Sequence, residues 1–245
     1  MEYRSPATNR SKLLSALLPL VLLWSSCAAL FLPLDCSDIY KHDHSTPSGV
    51  YIIYPVGATS AVQVYCDMKS LGGPWTVFQR RIDGSVNFYR PWAHYKIGFG
   101  NAAGEYWLGL KNLYHLCCKK KFELLVIMED FEGTTEYARY CWFSVGPESL
   151  GYPLHVSGFT DGGAGDSLSY HNGHKFSTYD KDHSANCPRL FLGAFWYNNC
   201  HLTNPNGVYR WGADDTIKGV GVEWSTWKGS NYSLKSINFM IRPVS

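Results

Sequence analysis

The sequence predicts an α+β domain built on a central antiparallel sheet, with a large loop-rich region late in the chain. Three observations carry this. Short segments with period-two alternation recur through the first 160 residues and again at 236–243, bounded by Gly, Pro, Asn or Asp. Only two stretches, 92–99 and 109–116, pattern as helices. After residue 160 periodicity gives way to Gly, Asn, Asp and Ser, and long loops that stay ordered carry function or are tied down by metals and disulfides.

Residues 50–54 and 62–65 read as short strands separated by a Pro-Val-Gly turn. The turn Gly72-Gly73-Pro74 precedes 75–81, where apolar and polar residues alternate as in a half-buried strand. The clearest strand is 121–130, which a Glu132-Gly-Thr-Thr turn pairs with 136–145 as an antiparallel hairpin. Residues 154–159 add a further strand, and 236–243 alternate cleanly to the end.

The 245 residues suit one large domain or two small ones. Nine Trp and 23 Gly with few charges describe a compact, loop-rich fold anchored by large aromatics. A formal net charge of +2, with no Lys/Arg stripe along any segment, argues against a nucleic-acid partner. The one basic run, 119–121, reads as a solvated turn.

The N-terminus has the order of a secretory signal: Arg4, Arg10 and Lys12, an apolar run at 13–24, then small residues at 25–29. Cleavage is expected near Ala28. An uncleaved anchor over 13–32 is the alternative, opposed by Pro19 and by the small-residue cluster. The expected organisation is a signal at 1–28, a short segment at 29–34 and the domain at 35–243, secreted to the extracellular space or matrix, with no membrane span once the signal is removed. Of eight cysteines, Cys27 leaves with the signal. That leaves Cys36, Cys66, Cys117, Cys118, Cys141, Cys187 and Cys200, most of which should pair in an oxidising compartment. The odd count suggests a free thiol or an intermolecular bridge. Adjacent Cys117 and Cys118 do not readily bond each other, so one is expected to pair with Cys141 while its neighbour cross-links a second chain.

Most functional information lies between Tyr179 and His201. An acidic loop (Asp180-Lys-Asp182-His-Ser184-Ala-Asn186) runs into Cys187, and the aromatic run Phe195-Trp196-Tyr197 runs into Asn-Asn-Cys200-His201. Carboxylates at alternate positions suit a hard cation such as calcium, which takes oxygen ligands.

Several long motifs together resemble the fibrinogen C-terminal, or fibrinogen-related, domain family. They are Cys66-Asp-Met…Gly72-Gly-Pro-Trp-Thr-Val-Phe-Gln-Arg-Arg81, Asp83-Gly-Ser-Val-Asn-Phe88…Trp92…Tyr95-Lys-Ile-Gly-Phe-Gly100 and Gly104-Glu-Tyr-Trp-Leu-Gly-Leu110. Gly165-Asp-Ser-Leu168…His171-Asn-Gly173, Trp196-Tyr197…Cys200-His201…Asn206-Gly207 and Gly221-Val-Glu-Trp-Ser-Thr-Trp-Lys-Gly229…Met240-Ile-Arg242 follow in order. The resemblance spans about 35–242. It implies a mixed α/β domain with a loop-built calcium and ligand region, and disulfides Cys36–Cys66 and Cys187–Cys200. The activities it implies are non-enzymatic: binding of acetylated carbohydrates, microbial or cell surfaces, and matrix proteins such as elastin, fibrillin and collagen. Those roles lie in innate immunity or microfibril assembly.

The resemblance places calcium on Asp180 and Asp182 with the carbonyl of Ser184. The loop departs from the family pattern, reaching Cys187 about three residues early with Ser where a third Asp is usual. A late deletion would leave Asp182 and Ser184 in the two ligand places, and fewer charges weaken such a site. An EF-hand is excluded by Ala185 and Phe191 at the positions that need Gly and Glu. The implied ligand pocket has a cis bond at Asn199–Cys200, the ring of His201 and a wall of Trp196 and Tyr197. Phe191 and Ile217 stand where acetyl-binding relatives have Tyr. That keeps shape but removes two hydroxyls, leaving a matrix cross-linker without sugar binding as the alternative.

Other motifs have plainer readings. Gly165-Asp-Ser167-Leu with Asp180-x-x-His183 matches a Ser-hydrolase signature, but its parts lie about a dozen residues apart instead of at opposite ends of a chain. His171/His174 and His42/His44 have no second ligand pair at zinc spacing and read as exposed loop residues. Asn231-Tyr-Ser is an N-glycosylation sequon. The expected molecule is a secreted recognition protein acting as a homo-oligomer, in which multivalency offsets weak single sites.

Overall fold

The computed structural model describes residues 1–3 and 30–244. The expected signal and its cleavage position fall, apart from residues 1–3, outside the described residues. Contacts divide the chain into Met1–Phe31 and Leu32–Ser245; the described residues of the first unit form no helix or strand. Among the described residues no helix is long and apolar enough to cross a membrane.

The second unit is an α+β domain. It opens with α1 (Cys36–His42), β1 (Gly49–Ile53), β2 (Val62–Asp67) and β3 (Trp75–Arg81). Then come α2 (Trp92–Ile97), β4 (Phe99–Gly100), β5 (Tyr106–Trp107) and α3 (Leu110–Lys119). The long strands β6 (Phe122–Glu129), β7 (Thr135–Val145) and β8 (Leu154–Gly162) follow. The loop-rich part holds only α4 (Cys187–Leu190), β9 (Gly212–Ala213), α5 (Ser225–Lys228) and β10 (Tyr232–Ser233) before β11 (Ser236–Pro243). The main sheet runs β1-β2-β3-β11-β6-β7-β8, with β5 and β4 branching from β3. Its pairings are antiparallel, as expected.

The expected strands and both helices lie within a few residues of these bounds. The departures have local causes. α1 has no long apolar period, yet Asp35 caps it by accepting from the Ser37 and Asp38 amides and pairs with Lys120 at 2.8 Å. The last two residues of 92–99 are not helical because Gly98 ends α2 at φ +100, where a side chain would collide with the Leu108 carbonyl. The β6–β7 hairpin is closed by Asp130, whose amide donates to the Thr134 carbonyl while its carboxylate accepts the Thr134 amide.

Strands β3 and β6 are buried on both faces, so they read as nearly continuous apolar runs. Phe78 sits at the centre, with ring centroids 5.4 Å from Phe143 and 5.9 Å from both Trp107 and Phe239. The same aromatic core carries the irregular region. Trp107 meets Phe176 at 5.6 Å and Trp196 at 6.1 Å, and Phe239 meets Phe195 at 6.0 Å and Trp224 at 6.3 Å. Large buried rings substitute for regular structure in fixing these loops.

A buried polar centre makes the second connection. Glu105 accepts the Ile82, Asp83 and Gly84 amides on Oε1 and the Val86 amide on Oε2. It faces Arg81, whose Nε is 3.5 Å away. Arg81 Nη1 donates to the Pro205 and Gly207 carbonyls, and Gln79 Nε2 to Pro205. Strand β3 thereby holds the loop 204–207, which borders the site below.

Candidate functional site

The acidic loop is held by its own hydrogen bonds. Asp180 Oδ1 accepts the Trp92 amide at 2.9 Å and the Thr178 hydroxyl at 2.7 Å, fastening the loop to the start of α2. Asp182 accepts the Ser184 amide and hydroxyl on Oδ1 and the Asn186 amide on Oδ2. Asn186 then turns the chain in the left-handed region, φ +65, into α4, with Pro188 at its start.

A calcium cage takes six to eight oxygens, and in this loop the Asp180 and Asp182 carboxylates already accept hydrogen bonds from the protein. One oxygen of Asp180 is committed to α2, both oxygens of Asp182 are committed to loop amides, and Ser184 brings a neutral hydroxyl in place of a carboxylate. No cluster of three or more His, Cys, Asp or Glu suited to a metal occurs among the described residues.

Both disulfides implied by the resemblance are present, Cys36–Cys66 and Cys187–Cys200. The second spans 13 residues and pins α4 to the segment carrying a cis peptide at Asn199–Cys200. Serine at Cys187 and Cys200 together is expected to cost about 3 kcal/mol, lowering Tm by roughly 6–12 °C for a domain of this size. Calorimetry of the double variant measures this.

Behind the pinned segment stands His171, which is fully buried and not the exposed loop residue anticipated. Its Nδ1 lies 2.7 Å from the Trp196 carbonyl, and its Nε2 accepts the Leu202 and Thr203 amides at 3.3 and 3.4 Å. That pattern requires the Nδ1–H tautomer. Burial pushes its pKa down to about 3, so it stays neutral at physiological pH. His171 therefore clasps the chain on both sides of Cys200. Its partners are 25 and 32 residues away, which is why local sequence did not reveal it.

His201 faces Glu223, with Nδ1 2.8 Å from Oε1 and side chains only 4% and 1% exposed. Burial raises the Glu223 carboxyl above the usual carboxylate range, and the neighbouring His201 ring opposes the rise. The Phe191 ring meets His201 edge-on at 4.4 Å. Asn204, also fully buried, accepts the Tyr197 hydroxyl at 2.6 Å and donates to the Phe191 and Gly219 carbonyls at 3.0 and 3.1 Å. Glu223 and Asn204 were missed from the sequence. A lone carboxylate in the apolar run Gly-Val-Glu-Trp was the available signal for the first.

The structure brings Phe191, Cys200 and His201 together as partly exposed residues, but the His201 side chain itself is buried, so its ring does not stand open to solvent as expected. Trp196 and Tyr197 lie behind them, 0% and 2% exposed, supporting the face instead of lining it. Trp196 Nε1 donates to the Tyr152 carbonyl. Ile217 is exposed at 58%, two residues from Gly219, where any side chain would run into the Phe191 ring. Asn199 is exposed, and its carbonyl accepts the Tyr170 hydroxyl at 2.9 Å. Among the described residues, the amides of Cys200 and His201 meet no acceptor.

Elsewhere, the expected pairing of Cys117 or Cys118 with Cys141 is not formed. All three are unbonded, because Cys141 faces out of β7 beside the Ser157 carbonyl while Cys117 packs on the core from α3. Asn231 is half-buried, its amide donating to Asp215, and Ser233 is buried. Ser167 is no nucleophile: it is fully buried, 2.9 Å from the Thr226 hydroxyl, and accepts the Thr226 amide. His183 instead stands edge-on to Trp92.

Comparison with known proteins agrees with this geometry. The family described as fibrinogen beta and gamma chains, C-terminal globular domain, matches residues 32–244. Microfibril-associated glycoprotein 4 of Mus musculus is 52% identical over 218 residues, 86% of this chain and 84% of that one. Fibrinogen C domain-containing protein 1 of Homo sapiens is 49% identical over 226 residues, covering 89% of this chain and 48% of that one. Among solved structures, the fibrinogen-like globe domain of human ANGPTL2 superposes with TM-score 0.82 at 45% identity, covering 86% of this chain and 99% of that one. The fold, the two disulfides and these relatives together place the chain in the fibrinogen C-terminal globular domain family, as a non-enzymatic member.

Proposed function

We propose that this chain is a secreted recognition protein whose face at residues 191–201 binds acetylated glycans and extracellular matrix proteins. The observation that carries the reading is the free donor pair at Cys200 and His201 beside the edge of Phe191. An acetamido group matches that face, its carbonyl accepting the amides and its methyl packing on the ring. The His201–Glu223 pair and Asn204 hold the face from beneath. The name of the microfibril-associated relatives supports a matrix setting, with elastin, fibrillin and collagen as the proteins to test. Exposed Cys118 and Cys141 supply thiols for linking copies into a homo-oligomer.

The test is retention on acetylated against non-acetylated resin, with and without a calcium chelator. Selective retention that survives the chelator is expected, because the loop's own amides fill the Asp182 carboxylate; Tm should likewise not rise with added calcium. Equal retention on both resins would refute the glycan reading. The exposed, hydroxyl-free Ile217 favours a second reading, a matrix cross-linker without sugar binding. Binding to immobilised elastin, fibrillin or collagen without acetyl selectivity supports that one.

A further inference from the structure

A cleft of about 310 Å³ opens between α2, α3 and the turn before β8, away from the face just described. Lys96, Lys111, Tyr114, His115, Glu148 and Tyr152 line it. It adjoins a second cleft of about 270 Å³ along β2 and the end of α2, and Lys111 lines both. The only carboxylate in the first cleft is Glu148, already neutralised by Lys96 at 2.8 Å. The second cleft is lined by no acidic side chain.

The remaining cations are unbalanced. Lys111, His115 and Lys119 follow at i, i+4 and i+8 on α3, so they share one stripe about 12 Å long. Lys111 is exposed and makes no hydrogen bond or ion pair with a described residue. It stands in the first turn of α3, where a cation opposes the helix dipole, so helix stability does not account for it. His115 is held below its ordinary pKa first by burial, then by Lys111 and Lys119, as expected where positive charges crowd without acids. Beyond Glu148 lie two further cations, Lys181 and Lys175, with the Asp182 carboxylate among them. Lys181 packs 3.9 Å over Trp92, and the Lys175 side chain lies against Gly151.

We propose that this double cleft is a second binding site, for a sulfated, uronate-bearing glycan chain. Three features select that class. The charges are spaced along a line, which suits a polymer with repeating anions better than a single ion. The lining of the first cleft offers ammonium, imidazole and phenol groups, the partners of sulfate and sugar hydroxyls, and presents no open strand edge for an extended peptide. The joint volume takes more than one sugar unit. This site does not depend on the acetyl-binding face, so the two succeed or fail separately.

The experiment is titration of the full chain with a heparin hexasaccharide at about 0.15 M salt, beside a desulfated counterpart that carries no N-acetyl group, so that it offers nothing to the acetyl-binding face, and a poly-glutamate peptide. The sulfated oligosaccharide should bind and weaken with salt, and K111E/K119E should lower its affinity about tenfold or more. The desulfated sugar and the peptide should bind at least tenfold more weakly. K69E, a charge reversal on the turn before β3, should change affinity less than twofold, and the Tm values of both variants show that they are folded. The proposal is overturned if K111E/K119E binds like K69E, if the desulfated sugar binds equally, or if poly-glutamate competes as well as the hexasaccharide.

Discussion

Glu105→Ala is expected to cost about 5 kcal/mol or more, enough to lose most of the folded protein. Removing one partner of a buried ion pair alone costs roughly 3–5 kcal/mol. Here Arg81 would be left charged at 1% side-chain exposure, with the Ile82, Asp83, Gly84 and Val86 amides stripped of their acceptor. Each orphaned group adds about 1–3 kcal/mol where water does not reach it. Domains have only about 5–15 kcal/mol in hand. Glu105→Gln keeps one carbonyl acceptor and should be milder, at about half the cost of alanine. Yield of folded protein and urea midpoints of the two variants rank them; an alanine variant within about 1 kcal/mol of wild type would show that water or rearranged groups replace the carboxylate.

Asn204→Ala is expected to cost about 3–4 kcal/mol, with a functional signature the first variant lacks. It removes three buried hydrogen bonds at once, leaving the Tyr197 hydroxyl and the Phe191 and Gly219 carbonyls unpaired. Those carbonyls set where Phe191 and Gly219 stand against His201, so acetyl-resin retention should fall even below the melting transition. Asn204→Asp separates the contributions: it still accepts from Tyr197 but no longer donates to the two carbonyls. Retention by the aspartate variant at wild-type levels would show that the donor bonds do not position the face.

These residues also mark where sequence stops being informative. Strands β3, β6 and β11 were legible because burial imposes a pattern on eight or so consecutive residues, and the aromatic run 195–197 was legible as an anchor. The role of Asp180 was not. The spacing of two carboxylates carries no sign of its hydrogen bond to the Trp92 amide, 88 residues earlier, which only the fold shows. His171 and Glu223 were hidden for the same reason, since a buried polar residue is defined by partners far along the chain. The elements α4 and α5 have four residues each, too few to display a helical period. The cysteine arithmetic misled because counting thiols ignores direction: Cys141 looks outward from its strand.

The sheet order has a consequence for biosynthesis. β11 comes last among the domain's strands in chain order, yet it lies between β3 and β6 and pairs with both along most of its length. A nascent chain that has not reached Ser236 holds two halves of a sheet with facing, unfilled edges. The two halves of the sheet therefore join only when residues 236–243 fill the gap between β3 and β6. A stop codon near the end should be as damaging as one near the beginning.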